Sequence, residues 1–288
     1  GKNLGTSGDA RTTNFAGGTL VNSANTASKL YSTNSYVYSD ITISTPNVGG
    51  DIYLSTTNYL TGPVTVKTVT KTGLGDLHLR NTYTTAGAKD FNINVQAGNL
   101  MYDVTQNVGG FSGIYSLATG STLYFNASPS IPVTGTITGD GSVVIKSSTA
   151  LAGSNTYTGG TTVYNGATLT YAKAPVMSGT TITSGPAGTG SITLGNAITS
   201  ASIDMTGYNL LPNNLVINGT TTIFSGATGN PVISGTISDG VNAGYGLTVN
   251  ASTAGKTIEI QSNNTYTGPT TVTGSGTVLI SHSNALGA

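Results

Sequence analysis

The chain of 288 residues contains no cysteine, which excludes disulfide bridges and thiolate metal sites. Charge is scarce as well. Lys, Arg, Asp and Glu make up 7% of the chain, against about 25% in ordinary soluble domains. The ten basic and ten acidic residues cancel. A nucleic acid or an anionic membrane surface calls for a basic stripe, and the sequence has none. Between Val104 and Ile203 the only charged residues are Asp140, Lys146 and Lys173. So few charges give little protection against self-association. No apolar run approaches the roughly 20 residues of a membrane-spanning helix. No charged-then-apolar leader opens the chain, so the signal of an exported form is expected to have been removed or to lie outside these residues. Helix-type apolar spacing with Glu, Lys, Ala and Leu is also missing.

What the chain has instead is glycine, 41 residues, together with Thr, Ser, Asn and regularly placed β-branched residues. Its most informative stretch is NTYTGGTTVYNGATLT, from Asn155 to Thr170. It returns as NTYTGPTTVTGSGTVL, from Asn264 to Leu279. Looser copies read NYLTGPVTV from Asn58 and NTYTTAGAKDFNINV from Asn81. Each has a polar turn followed by Thr-Val alternation. Period two marks a strand with one buried face. The Gly-Gly or Gly-Pro pair is read as a turn, since Gly permits positive φ and Pro pre-sets φ. Asn155, Tyr157 and Gly159, with Asn264, Tyr266 and Gly268, are therefore expected as structural turn residues.

Residues 1–34 show little alternation and are expected to form a cap or irregular first coil. From 35 to 288, strands of four to six residues alternate with turn signals such as Gly49-Gly50 and Gly139-Asp140-Gly141. A recurring turn-strand unit is how a solenoid is written. Stacked coils pair their backbones and bury inward Val, Ile and Leu as a column. At roughly 20–25 residues per coil, the chain would make about a dozen coils. The expected fold is an all-β parallel β-solenoid forming a single elongated domain. Period-two strands alone also fit a globular β-sandwich.

NTYTGGTTVYNGATL and NNTYTGPTTVTGSGTVLI resemble the passenger-associated β-strand repeat of bacterial autotransporters. AGTGSITLGNAIT, NNLVINGTTTIFSG and SGTISDG resemble its flanks. The likeness is clear from about Gly135 to Ala288. It implies a right-handed parallel β-helix exported to the bacterial surface. It also implies a C-terminal membrane barrel, which these residues do not include. The repeat itself carries no enzymatic residues.

Candidate chemistry is sparse. His78 and His282 lie far apart with no His or Cys beside them, and a zinc site needs three or four ligands. No metal ligand, cofactor site or catalytic residue is expected. Asp140-Gly141 and Asp239-Gly240 are read as turns, and calcium-binding GGxGxD tandems are absent. Glycoside cleavage needs two nearby carboxylates. The nine Asp and single Glu259 are scattered, and Asp76 would stack near Asp90 or Asp103 only through the accident of coil length. The expected function is a non-enzymatic extracellular structural or adhesive protein of a bacterial surface. Its expected partners are further copies of itself, joined end to end into filaments, or a surface glycan or host-cell ligand. The alternative is a β-helix enzyme acting on polysaccharide.

Overall fold

The computed structural model describes residues 12–61, 66–80, 91–103, 113–129, 132–206, 208–225 and 229–288. These contain no helix. Parallel strands stack as a β-solenoid of about ten turns. The chain divides into two compact units, 1–143 and 144–288.

In the first unit the strands alternate between two parallel sheets. One sheet takes β1 (Thr12–Phe15), β3 (Ser28–Val37), β5 (Ile52–Thr61), β7 (Leu77–Leu79), β9 (Asn99–Tyr102) and β11 (Thr122–Phe125). The other takes β2 (Thr19–Val21), β4 (Ile41–Ser44), β6 (Lys67–Thr72), β8 (Phe91–Val95), β10 (Ile114–Leu117) and β12 (Thr136–Gly139). Strands β1 and β2 and the start of β3 fall within 12–34, in the stretch expected to form a cap or irregular first coil. Thr, Asn and Ser there pair through backbone, which needs no apolar pattern. Residues 1–11 lie outside the described residues, as do the turn of the Asn58 copy and all of 81–90 in the Asn81 copy.

Strand β13 (Ser142–Ile145) spans the division between the units. The second unit has three parallel sheets. The first runs through β15 (Thr161–Val163), β19 (Ile192–Leu194), β22 (Leu215–Ile217) and β25 (Ile237–Asp239). The second takes β14 (Thr149–Leu151), β16 (Thr168–Tyr171), β20 (Ala201–Asp204), β23 (Thr221–Ser225), β26 (Leu247–Ala251) and β28 (Thr270–Gly274). The third takes β21 (Leu210–Leu211), β24 (Val232–Ile233), β27 (Thr257–Ile260) and β29 (Thr277–Ile280). One antiparallel hairpin, β17 (Val176–Ser178) with β18 (Thr181–Ser184), interrupts the pattern.

The register places like side chains above one another. Ile52, Leu77, Leu100 and Leu123 form one inward column, each at most 3% exposed. Ile41, Val69, Ile93, Tyr115 and Ile137 form another in the facing sheet. Leu169, Ile203, Ile223 and Val249 do the same in the second unit. Burying each such side chain contributes about 1.5–3 kcal/mol. Coil length is uneven. Ile203 pairs with Ile223, 20 residues on, whereas Leu169 pairs with Ile203, 34 residues on. Longer coils than expected account for fewer turns than a dozen.

One inward position departs from the apolar rule. Lys71 stands in register between Ile43 and Val95 and is fully buried. Its ammonium donates to the backbone carbonyls of Thr72 at 3.0 Å, Gly73 at 2.7 Å and Ala97 at 2.9 Å. Burial pushes its pKa down to about 8, against the opposing pull of Asp76 and Asp51. The three carbonyls replace the hydration shell that the charge gives up.

Candidate functional site

The two full sequence repeats build the same clasp. Asn155 is buried, and its Nδ2 donates to the Pro186 carbonyl at 2.6 Å. Asn264 is equally buried, and its Nδ2 donates to the Ala285 carbonyl at 2.7 Å. Both amides therefore hold backbone of a later segment, not their own turn. Tyr157 and Tyr266 are fully buried, and their hydroxyls meet Thr161 Oγ1 at 2.5 Å and Thr270 Oγ1 at 2.6 Å. Burial raises both phenol pKa values, while the threonine hydrogen bonds lower them. Thr161 Oγ1 reaches on to the Ala187 carbonyl, and Thr270 Oγ1 to that of Leu286.

Glycines close each clasp from the other side. Gly188 and Gly287 hold φ of 68° and 90°. A Cβ there would lie 2.5 Å from the Tyr157 carbonyl oxygen and 2.3 Å from that of Tyr266. Sequence reasoning missed this pair and named Gly159 and Gly268 instead. Gly159 is exposed, and the left-handed residue beside it is Gly160, at φ 82°. Gly268 serves close approach: its Cβ would sit 1.9 Å from the Tyr245 carbonyl oxygen. The two clasps also occupy different walls. The strand after the first, β15, joins the first sheet of the unit, whereas the strand after the second, β28, joins the second sheet.

The coil that holds β28 and β29 is built like those before it. Val272 continues the Val249 column and Ile280 continues the Ile260 column. Val249 and Ile260 are 0% exposed, whereas Val272 and Ile280 are 54% and 48% exposed. Leu279 and Leu286 are exposed beside them. Among the described residues, β28 and β29 are the last strands of their sheets.

The first unit carries a polar cluster on the outer surface of one sheet. Lys29, Tyr53, His78 and Met101 share a register column. The Tyr53 and His78 rings stack, with centroids 4.0 Å apart. Arg80 lies over the Tyr53 ring at 4.4 Å and Lys29 at 5.9 Å. His78 Nδ1 faces Asp103 Oδ2 at 2.6 Å, while His78 Nε2 faces Asp51 Oδ2 at 3.9 Å. Asp103 Oδ1 accepts from Asn126 Nδ2 at 2.7 Å, and Arg80 Nε donates to Oδ2 at 3.4 Å. Burial raises the Asp103 pKa, but hydrogen bonds from His78, Asn126 and Arg80 outweigh it and hold the carboxyl below its usual range. Burial and the charge of Asp51 raise the Tyr53 phenol. Asp51, Asp76 and His78 each present one ligand atom, all within 4.8 Å of one another.

Sequence reasoning left these groups scattered. Only the coil length, 25 residues from Asp51 to Asp76, brings them together. His282 is remote from them in sequence, and its Nδ1 accepts from the Asn284 backbone N–H at 3.1 Å. No protein-family profile, curated protein or solved structure matches the chain.

Proposed function

We propose that this chain is a non-enzymatic structural and adhesive segment of an extracellular bacterial surface protein, and that its copies join end to end by strand pairing. The observation that carries this reading is the stacking itself: parallel strands carry inward columns such as Leu169, Ile203, Ile223, Val249 and Val272 from coil to coil in register, a geometry that a second copy can continue. A second copy laid on β28 and β29 would continue their sheets. The near absence of charge supports the same reading, because charged edge residues are the usual guard against such pairing. The likeness of the NTYTG repeats to autotransporter passengers supports export to the bacterial surface.

Sedimentation velocity and negative-stain electron microscopy over a concentration series test the assembly. The expected result is concentration-dependent linear oligomers that Val272→Lys and Ile280→Lys suppress without loss of β-structure. Dispersed monomers at the highest concentration would overturn it.

A further inference from the structure

We propose that Asp51, Asp76 and His78 form a binding site for a single divalent transition-metal ion of the zinc class. The argument rests on how each ligand is held. Asp51 Oδ1 accepts the Asp76 backbone N–H at 2.8 Å. Asp76 Oδ1 accepts from Asn99 Nδ2 at 2.9 Å. Each carboxylate thus commits one oxygen to the wall and keeps the other for the cluster. His78 Nδ1 donates to Asp103, which fixes the tautomer and leaves the Nε2 lone pair facing Asp51. A metal-binding histidine typically gives its other ring N–H to a carboxylate in this way, and that partner sets ring orientation and ligand basicity. Asp103 is itself held by Asn126.

The nearby cations are engaged elsewhere. Arg80 is bound to Asp103 and lies over Tyr53. Lys29 lies over the same ring. Lys71 is bound to three carbonyls. The His78 and Asp51 side chains are 12% and 20% exposed, so an ion can enter and water can complete its shell. One imidazole with two carboxylates suits zinc or its neighbours, whereas calcium takes oxygen ligands alone. The ion would join Asp51 on one coil to Asp76 and His78 on the next. Binding to the folded state alone would raise thermal stability.

The test is calorimetric titration of chelator-stripped full chain, prepared without a histidine tag, with zinc chloride and separately with calcium chloride. One zinc ion per chain is expected. His78→Gln and Asp76→Asn should each weaken zinc binding by at least about tenfold, while Asp239→Asn leaves it unchanged. In nitrogen-detected NMR, zinc should shift the His78 Nε2 resonance and leave Nδ1 protonated. The Asp76 and His78 side chains are part-exposed, and circular dichroism checks that all three variants remain folded. Absence of saturable zinc binding overturns the proposal. So does binding that survives His78→Gln, or a calcium preference indifferent to that change.

Discussion

Replacing the buried cation by a neutral chain of similar length, Lys71→Met, separates two opposing effects through pH. A lysine in the unfolded chain keeps its proton to its ordinary value of 10.5, whereas the folded state releases it at about 8. Between those values the unfolded chain binds more protons, so stability rises with pH. Burial of the charge therefore costs stability below pH 8, and the cost is relieved as pH rises toward 10.5. At about 1.4 kcal/mol per pH unit, the full relief is roughly 3 kcal/mol. Removing the ammonium at neutral pH gains that amount but takes a donor from the carbonyls of Gly73 and Ala97. Each orphaned carbonyl costs about 1–3 kcal/mol. The Thr72 carbonyl keeps its bonds from Thr45 N and Oγ1. The two contributions nearly offset, so at pH 7 the variant should lie within a few kcal/mol of the parent. The discriminating quantity is the slope. Urea unfolding followed by far-ultraviolet circular dichroism should show the parent gaining about 2–3 kcal/mol between pH 8 and 10 relative to Lys71→Met. Above pH 10 both should lose stability, because burial holds Tyr157 and Tyr171 neutral in the fold while unfolded tyrosines ionise. Parallel pH profiles for the two proteins would refute this account of Lys71.

Asn155→Ala and Asn264→Ala should each cost about 2 kcal/mol in urea unfolding, since each removes a donor from a buried carbonyl. Tyr157→Phe should cost about 1 kcal/mol by thermal melting, less than the asparagine change, because Thr161 retains its bond to the Ala187 carbonyl. Gly188→Ala should destabilise by more than about 1 kcal/mol, since its Cβ would strike the Tyr157 carbonyl and ring at a positive φ; an unchanged melting temperature would rule out the clasp geometry. Excision of Ala174–Thr183 should leave the melting temperature nearly unaltered, because the Asn264 clasp closes across 21 residues where the Asn155 clasp takes 31.

Much of this architecture is legible in the residues. Thr-Val and Ile-Thr alternation marks strands such as β15, β23 and β26, and the inward columns follow from period two alone. The buried tyrosine of each clasp announces itself by recurring at a fixed offset. Partners across coils do not. Coil steps of 20 to 34 residues leave no constant interval to count, so the meeting of His78 with Asp103 and of Asp51 with Asp76 cannot be read from spacing. The buried Lys71 is hidden for a related reason. The second lysine of KTVTKT alternates like any strand residue, and only the carbonyls brought by Gly73 and Ala97 make its inward position tolerable. The change from two walls to three lies in short turns whose chemistry is the same in both units. The hairpin is invisible because VMS and TTITS read as ordinary rungs.

That hairpin has a practical consequence. Its two strands pair with each other, from Val176 with Ser184 at the base to Ser178 with Thr181 at the tip, so its length is uncoupled from the pitch of the column. Asn264 closes without any such excursion, which makes the clasp a natural splice port. A foreign peptide inserted between Val176 and Ser184 would be displayed clear of the scaffold, with the hydrogen bonds at its base already supplied.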